Sequence, residues 1–260
     1  MKITIVQADV VYKNKKENIS KLSSMLANAE EVGDLTLLPE MFSTGYIFSK
    51  PSEIHNLSED YSNSETIDAI RLLAKEYDTT FVAGIAEQHD GKYYNSVAVI
   101  SESGLLHRYR KISQNPIDQK YFSRGESTLS FKHKGLVFGI AICFDIWFPE
   151  IIRAYTKENI DVLLHPANFG GQQSLHFSKL RALENSFYVV TCNRVGKDVT
   201  KELTGQYCGS SCVFNPAGEL VEQFGTASSV QTIEITNSKP APQLIGISLN
   251  DEIETIKEII

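Results

Sequence analysis

Short apolar runs rich in β-branched residues recur along the chain: Ile3 to Ala8, Leu35 to Leu38, Thr80 to Ala86, Ser96 to Ile100, Leu136 to Ile142, Val162 to Leu164, Phe187 to Thr191, Ser211 to Phe214 and Thr232 to Ile235. Several are apolar on consecutive positions, the pattern of strands covered on both faces. Helical spacing lies between some of them. Ile19, Leu22, Leu26 and Ala29 fall three or four residues apart, with Gly33 as a C-terminal cap. Ile67, Ile70, Ala74 and Tyr77 repeat that spacing after Ser62-Asn63-Ser64, and further helices are predicted from Pro149 to Lys157 and from Gln173 to Ser186. Asp90-Gly91, Ser103-Gly104 and Asn215-Pro216-Ala217-Gly218 carry hairpin chemistry instead. Strands joined partly by helices and partly by hairpins predict an α/β fold with mixed sheets and helices outside. No linker or short repeat interrupts the pattern, so residues 1–260 read as one domain. Leu35-Thr-Leu-Leu-Pro-Glu40 faintly echoes Asp161-Val-Leu-Leu-His-Pro166, a hint of two similar halves.

Composition narrows the function. The 260 residues carry 25 Lys+Arg against 32 Asp+Glu, a net charge of −7, which argues against a nucleic-acid partner. No uncharged apolar run approaches the ~18 residues of a membrane span. Met1-Lys2-Ile3-Thr4 runs straight into strand-like sequence with no room for a signal peptide, so a cytoplasmic location is expected. Cys143, Cys192, Cys208 and Cys212 are too few and scattered for a disulfide framework. The six histidines show no ligand spacing, so no metal is expected.

Three strand ends carry reactive side chains. In Leu37-Leu38-Pro39-Glu40-Met41-Phe42 a carboxylate follows a strand and precedes apolar residues. Burial there would raise its pKa toward that of a general base, whereas the plain alternative is a surface glutamate. In Arg108-Tyr109-Arg110-Lys111-Ile112 three cations suit a solvated edge, yet alternation places Lys111 with Tyr109, on the side of Leu105 and His107. In Gly139-Ile-Ala-Ile-Cys143-Phe-Asp-Ile-Trp-Phe-Pro149-Glu150 a strand ends at a thiol close to a helix start. Such a turn can present a nucleophile, free backbone donors for an oxyanion and lower the thiol pKa, although buried Cys is also a common packing residue.

Together these segments resemble the carbon–nitrogen hydrolase (nitrilase) superfamily in LLPEMFSTGY, HRYRKI and GIAICFDIWFPE, and further in residues 181–196 and the hairpin ending at Gly218. The resemblance covers residues 1–236 and implies a four-layer α-β-β-α sandwich with a Glu40, Lys111 and Cys143 triad. It implies that Glu40 takes the Cys143 proton and that Lys111, with the Phe144 N–H, stabilises the oxyanion. Many members add a second acid, matched here by Asp118 where Glu is usual. The shorter side chain is expected to need a backbone shift or a water to reach Lys111. Ser113 stands where many relatives carry His.

The expected reaction is cofactor-free hydrolysis of a small linear amide to carboxylate and ammonia. A nitrilase or an N-carbamoyl amidase would use the same triad, and a non-catalytic binding paralogue is the alternative of a different class. Trp147 is the only tryptophan and reads as a wall of the acyl pocket. Omega-amidase-like relatives tend to carry Arg there, which would pair with a substrate carboxylate; Arg181 or Arg194 could serve instead. Tyr46, Asn168 and Phe169 are further substrate-binding candidates by position. The resemblance also implies a homodimer or larger homo-oligomer. The stretch 237–260, with Pro240, Pro242 and acidic Asp251 to Glu254, is expected to pack on the domain or on a partner subunit.

Overall fold

The computed structural model describes residues 1–236, 243–244 and 247–259. Its main strands, in chain order, are β1 (Lys2–Gln7), β2 (Leu35–Leu37), β3 (Thr80–His89), β4 (Lys92–Ser101), β5 (Gly104–Arg110), β6 (Ser130–His133), β7 (Leu136–Ile140), β8 (Val162–Pro166), β9 (Tyr188–Cys192), β10 (Lys197–Val199), β11 (Thr204–Gln206), β12 (Cys212–Phe214), β13 (Leu220–Gln223) and β14 (Ser229–Glu234). The helices are α1 (Lys15–Ala27), α2 (Pro51–His55), α3 (Glu65–Tyr77), α4 (Pro116–Tyr121), α5 (Pro149–Ala154), α6 (Gln173–Asn185) and α7 (Leu249–Ile259).

Two six-stranded mixed sheets form, in the orders β14-β1-β2-β3-β4-β5 and β13-β12-β9-β8-β7-β6. Read from β14 and from β6, both follow one pattern: antiparallel, parallel, parallel, antiparallel, antiparallel. The two halves suggested by the sequence echo are real in topology, with β2 and β8 at equivalent positions. Ile3, Ile5, Leu35, Leu37, Val82 and Val97 of one sheet pack on Phe138, Ile140, Leu164 and Val190 of the other. Helices α1 and α3 cover the outer face of the first sheet through Leu22, Leu26, Ile67 and Ile70. On the outer face of the second, α6 packs against β9 and β12. This is the α-β-β-α sandwich, and two-sided burial is why its inner strands read as continuous apolar runs.

Local chemistry explains most element ends. Asn14 and Ser64 cap α1 and α3 by accepting from Glu17 N and Ile67 N. Helix α1 ends at Asn28, so Gly33 is not its cap. Gly33 instead lies where the chain crosses β1, and a Cβ there would sit 2.6 Å from Lys2 O. Helix α5 stops at Ala154 and gives way to a 3₁₀ turn over Tyr155–Glu158. Pro240 and Pro242 lie outside the described residues, while Asp251 to Glu254 belong to α7, which lies against α6. Among the described residues no helix is long and apolar enough to cross a membrane.

Candidate active site

The three reactive strand ends converge at one end of the sandwich. Glu40 follows β2 and is fully buried; the turn is fixed by Leu38 N donating to Val82 O at 2.9 Å and Phe42 N to Gly84 O at 2.8 Å. Lys111 directly follows β5 and is 2% exposed. Its Nζ donates to Glu40 Oε1 at 2.9 Å and to Asp118 Oδ2 at 2.7 Å. Asp118 therefore reaches Lys111 directly, with no bridging water needed. Helix α4 achieves this: Asn115 caps it by accepting from Ile117 N and Asp118 N, and Asp118 Oδ2 accepts from Asn115 N in return. The capping box aims the shorter acid at the lysine.

Cys143 lies beyond β7 with φ +45°, a left-handed conformation that non-glycine residues adopt at a cost of order 1–2 kcal/mol. It opens a 3₁₀ turn over Cys143–Trp147 rather than an α-helix. The first bond of that turn runs from Asp145 N to Ile142 O at 2.9 Å. Asp145 is fully buried and braces the elbow from below, accepting from Ile142 N at 2.9 Å, Ser113 N at 2.7 Å and the Tyr109 hydroxyl at 2.7 Å. Its own carboxyl is pushed up by burial, with Lys111, Ser113 and Tyr109 opposing.

The electrostatics differ from one expectation. Burial, followed by the Glu40 charge, pushes the Cys143 thiol well above the ordinary range; Lys111 and the Asn168 N–H pull it down without prevailing. Burial thus favours the thiol over a ready thiolate, the reverse of the lowering expected at such a turn. Burial raises the pKa of Glu40 as well, against the opposing Lys111 charge. Its Oε2 is buried without another hydrogen-bond partner. Burial alone would lower the Lys111 pKa, but Asp118 and Glu40 hold it well above the ordinary lysine value.

The remaining candidates divide. Tyr46 lies at the cluster, with Lys111 Nζ 5.5 Å from its ring centre and its hydroxyl bonded to the Asn115 side chain. Asn168 is 7% exposed, donates its N–H toward the Cys143 thiol, and has neither side-chain amide atom partnered. Phe169 is buried behind it, 5.4 Å from the His165 ring. Phe144 is half-buried against Trp147 and Phe148. Trp147 is 38% exposed and is held by α6, donating to Ser174 Oγ and packing 4.2 Å from the Phe177 ring centre. Neither proposed carboxylate-binding arginine is available. Arg181 donates to Ile146 O and Trp147 O and pairs with Glu184; fully buried Arg194 pairs with Asp198 and donates to Val10 O.

Alternation on β5 is also interrupted. Ile100 pairs with Leu105 and Val99 with His107, so a bulge at Leu106 breaks the shared face. Arg108 and Arg110 are not a solvated edge but clamp the fully buried Glu87. Sequence reading passed over Asn95, whose Nδ2 donates to Glu40 Oε1 at 2.7 Å and Asp118 Oδ1 at 3.2 Å. It also passed over His165, which contacts the Cys143 carbonyl. Each is a polar residue directly beside an apolar strand run, and that was the available signal. Among the described residues no cluster of three or more His, Cys, Asp or Glu could hold a metal ion.

The family model for carbon-nitrogen hydrolases matches residues 2–239. The chain is 32% identical over 240 residues to a nitrilase of Pyrococcus abyssi, covering 90% of this chain and 89% of that one. It is 28% identical over 258 residues to a 2-oxoglutaramate amidase of Bacillus subtilis, covering 96% of each. A cysteine-to-alanine mutant of a Nesterenkonia amidase from the nitrilase superfamily shares its fold, with TM-score 0.82 at 20% identity over 100% of this chain and 97% of that one. A family match over nearly the whole length joins the two-sheet sandwich and the converging strand ends in one conclusion: the chain belongs to the carbon–nitrogen hydrolase family.

Proposed function

We propose that this member hydrolyses a small linear amide through a cysteine thioester. The observation that carries the reading is the buried lysine bridging two carboxylates beside a buried thiol on a strained turn. Glu40 takes the Cys143 proton as sulfur attacks the amide carbon, so that the attack does not start from a bare buried thiolate. Lys111 and the Phe144 N–H stabilise the oxyanion. Protonated Glu40 then passes its proton to the leaving nitrogen, the C–N bond breaks, and ammonia departs. Glu40 next deprotonates water, which adds to the thioester; collapse expels the thiolate, which regains the proton, and frees the acid. Asp118 keeps Lys111 charged and in place. Every reacting group comes from the chain, without a cofactor.

The commitment of Arg181 and Arg194 elsewhere supports an acyl chain without a carboxylate. A net −1 from Glu40, Asp118 and Lys111 would also repel such a group. Trp147, Phe144 and Phe177 favour an apolar chain. The test is ammonia release from a panel of short amides, nitriles and N-carbamoyl amines. Neutral amides should turn over, with Cys143→Ala lowering the rate at least a thousandfold. Turnover of nitriles alone, or a Cys143→Ala variant as active as the wild type, would sink the reading.

A further inference from the structure

His165 sits near the end of β8, fully buried, between the nucleophile and the core. Its Nε2 lies 3.0 Å from Cys143 O, and its Nδ1 lies 3.0 Å from Thr191 Oγ1. Thr191 Oγ1 in turn lies 2.9 Å from Ser178 Oγ. All three side chains are 0% exposed. Donor accounting orders this chain. A carbonyl oxygen can only accept, so Nε2 carries the proton and donates to Cys143 O. Burial lowers the His165 pKa to about 4, so the ring is neutral and Nδ1 is an acceptor. Thr191 must then donate to Nδ1, and Ser178 must donate to Thr191. The relay runs in one direction, from α6 through β9 and β8 to the backbone of the nucleophile.

The oxygen at its end belongs to the peptide group joining Cys143 to Phe144. That group is planar and trans, so its C=O and N–H point to opposite edges. A donor fixed on Cys143 O therefore fixes the direction of the Phe144 N–H. It also polarises the peptide and makes that N–H a better donor. Phe144 precedes the first hydrogen bond of the 3₁₀ turn, so its N–H lies ahead of the turn's own bonding. The left-handed φ of Cys143 leaves this peptide in a conformation that needs outside support.

We propose that His165 is a positioning residue that aims the Cys143–Phe144 peptide as an oxyanion donor, with Thr191 and Ser178 fixing its tautomer. This rests on the thioester reading above, because it supplies the purpose of the Phe144 N–H. It separates two properties of the site. Thiol deprotonation depends on Glu40 and Lys111, whereas oxyanion stabilisation depends in part on the relay.

The test compares amide hydrolysis with alkylation of Cys143 by iodoacetamide, a displacement at saturated carbon that forms no oxyanion. Both are measured with the full chain, and peptide mass spectrometry reports alkylation at Cys143 alone. For His165→Leu, kcat on the best amide of the panel should fall roughly ten- to a hundredfold, part of the loss seen on deleting an oxyanion donor. KM and the alkylation rate should stay within about threefold of wild type. His165→Gln, which can still donate to Cys143 O, should recover most of the kcat. Thr191→Val, outside the site, should lower kcat in the same direction by freeing the tautomer. Unchanged kcat in His165→Leu overturns the proposal, as does a parallel fall in kcat and alkylation, which would mark general damage to the elbow. If His165→Leu does not fold, Thr191→Val decides by the same comparison. A wild-type protein that alkylates but releases no ammonia from any amide overturns the thioester reading itself.

Discussion

Residue by residue, this site works by setting burial against charge. A lysine and a carboxylate at 0–2% exposure each cost several kcal/mol to desolvate, and the arrangement holds only because each charge has its opposite within 3 Å. Glu40 and Cys143 stood out in the sequence because each polar side chain stands where an apolar strand ends, whereas Lys111, after a cationic strand, stood out through the family resemblance. Asn95, Asp145 and His165 were not, because what they do depends on partners brought together only by folding. His165 has a consequence for stability. Its pKa is about 4 in the folded protein against about 6.5 when unfolded, so below pH 6.5 the unfolded chain binds the extra proton. That contribution is fully present above pH 6.5 and is lost as pH falls toward 4, on the order of 3 kcal/mol over the window. Urea unfolding of wild type and His165→Gln across pH 4–7 checks it. The wild-type stability should rise with pH more steeply than the variant's, and equal slopes would contradict the assignment.

At the scale of elements, strand ends do the positioning and the strands beside them forbid alternatives. The turn bearing Glu40 lies directly on β3 at Gly84. A Cβ there would stand 2.4 Å from Pro39 O, 2.5 Å from Met41 N and 2.7 Å from Glu40 Cα. Gly84→Ala should displace the carboxylate and lower amide turnover at least tenfold, with a stability cost of about 1–3 kcal/mol. Gly91→Ala is the control, since that hairpin glycine has φ +74° and a methyl added there would meet nothing within 4 Å. It should cost about 1 kcal/mol of stability and leave kcat alone. Equal kcat in Gly84→Ala and wild type would contradict the tight seat of Glu40. The long strands and helices α1, α3 and α6 were readable from periodicity to within a few residues. Helix α4 was missed because six residues cannot show a period, although Asn115-Pro116 followed by Asp118 carries its capping signature.

Over the whole molecule, the two sheets repeat one strand pattern, and the reactive residues come from different places in it. Glu40 follows β2, Lys111 follows β5 and Cys143 follows β7, so neither sheet alone holds the cluster. The sequence echo between Leu35–Glu40 and Asp161–Pro166 was a trace of that repetition, weak because only strand position is shared, not side-chain chemistry. The acidic balance of the chain says little about function, because the Glu40 and Asp118 carboxylates are buried and paired with Lys111. The proposed mechanism turns on Cys143 carrying the acyl group. Intact-protein and peptide mass spectrometry after acid quench, milliseconds after mixing with a turned-over amide, tests it directly. The predicted result is a mass increment equal to the acyl group on the peptide containing Cys143, absent from Cys143→Ala. Ammonia release with Cys143 unmodified at every quench time, or with the acyl group on another residue, would contradict it.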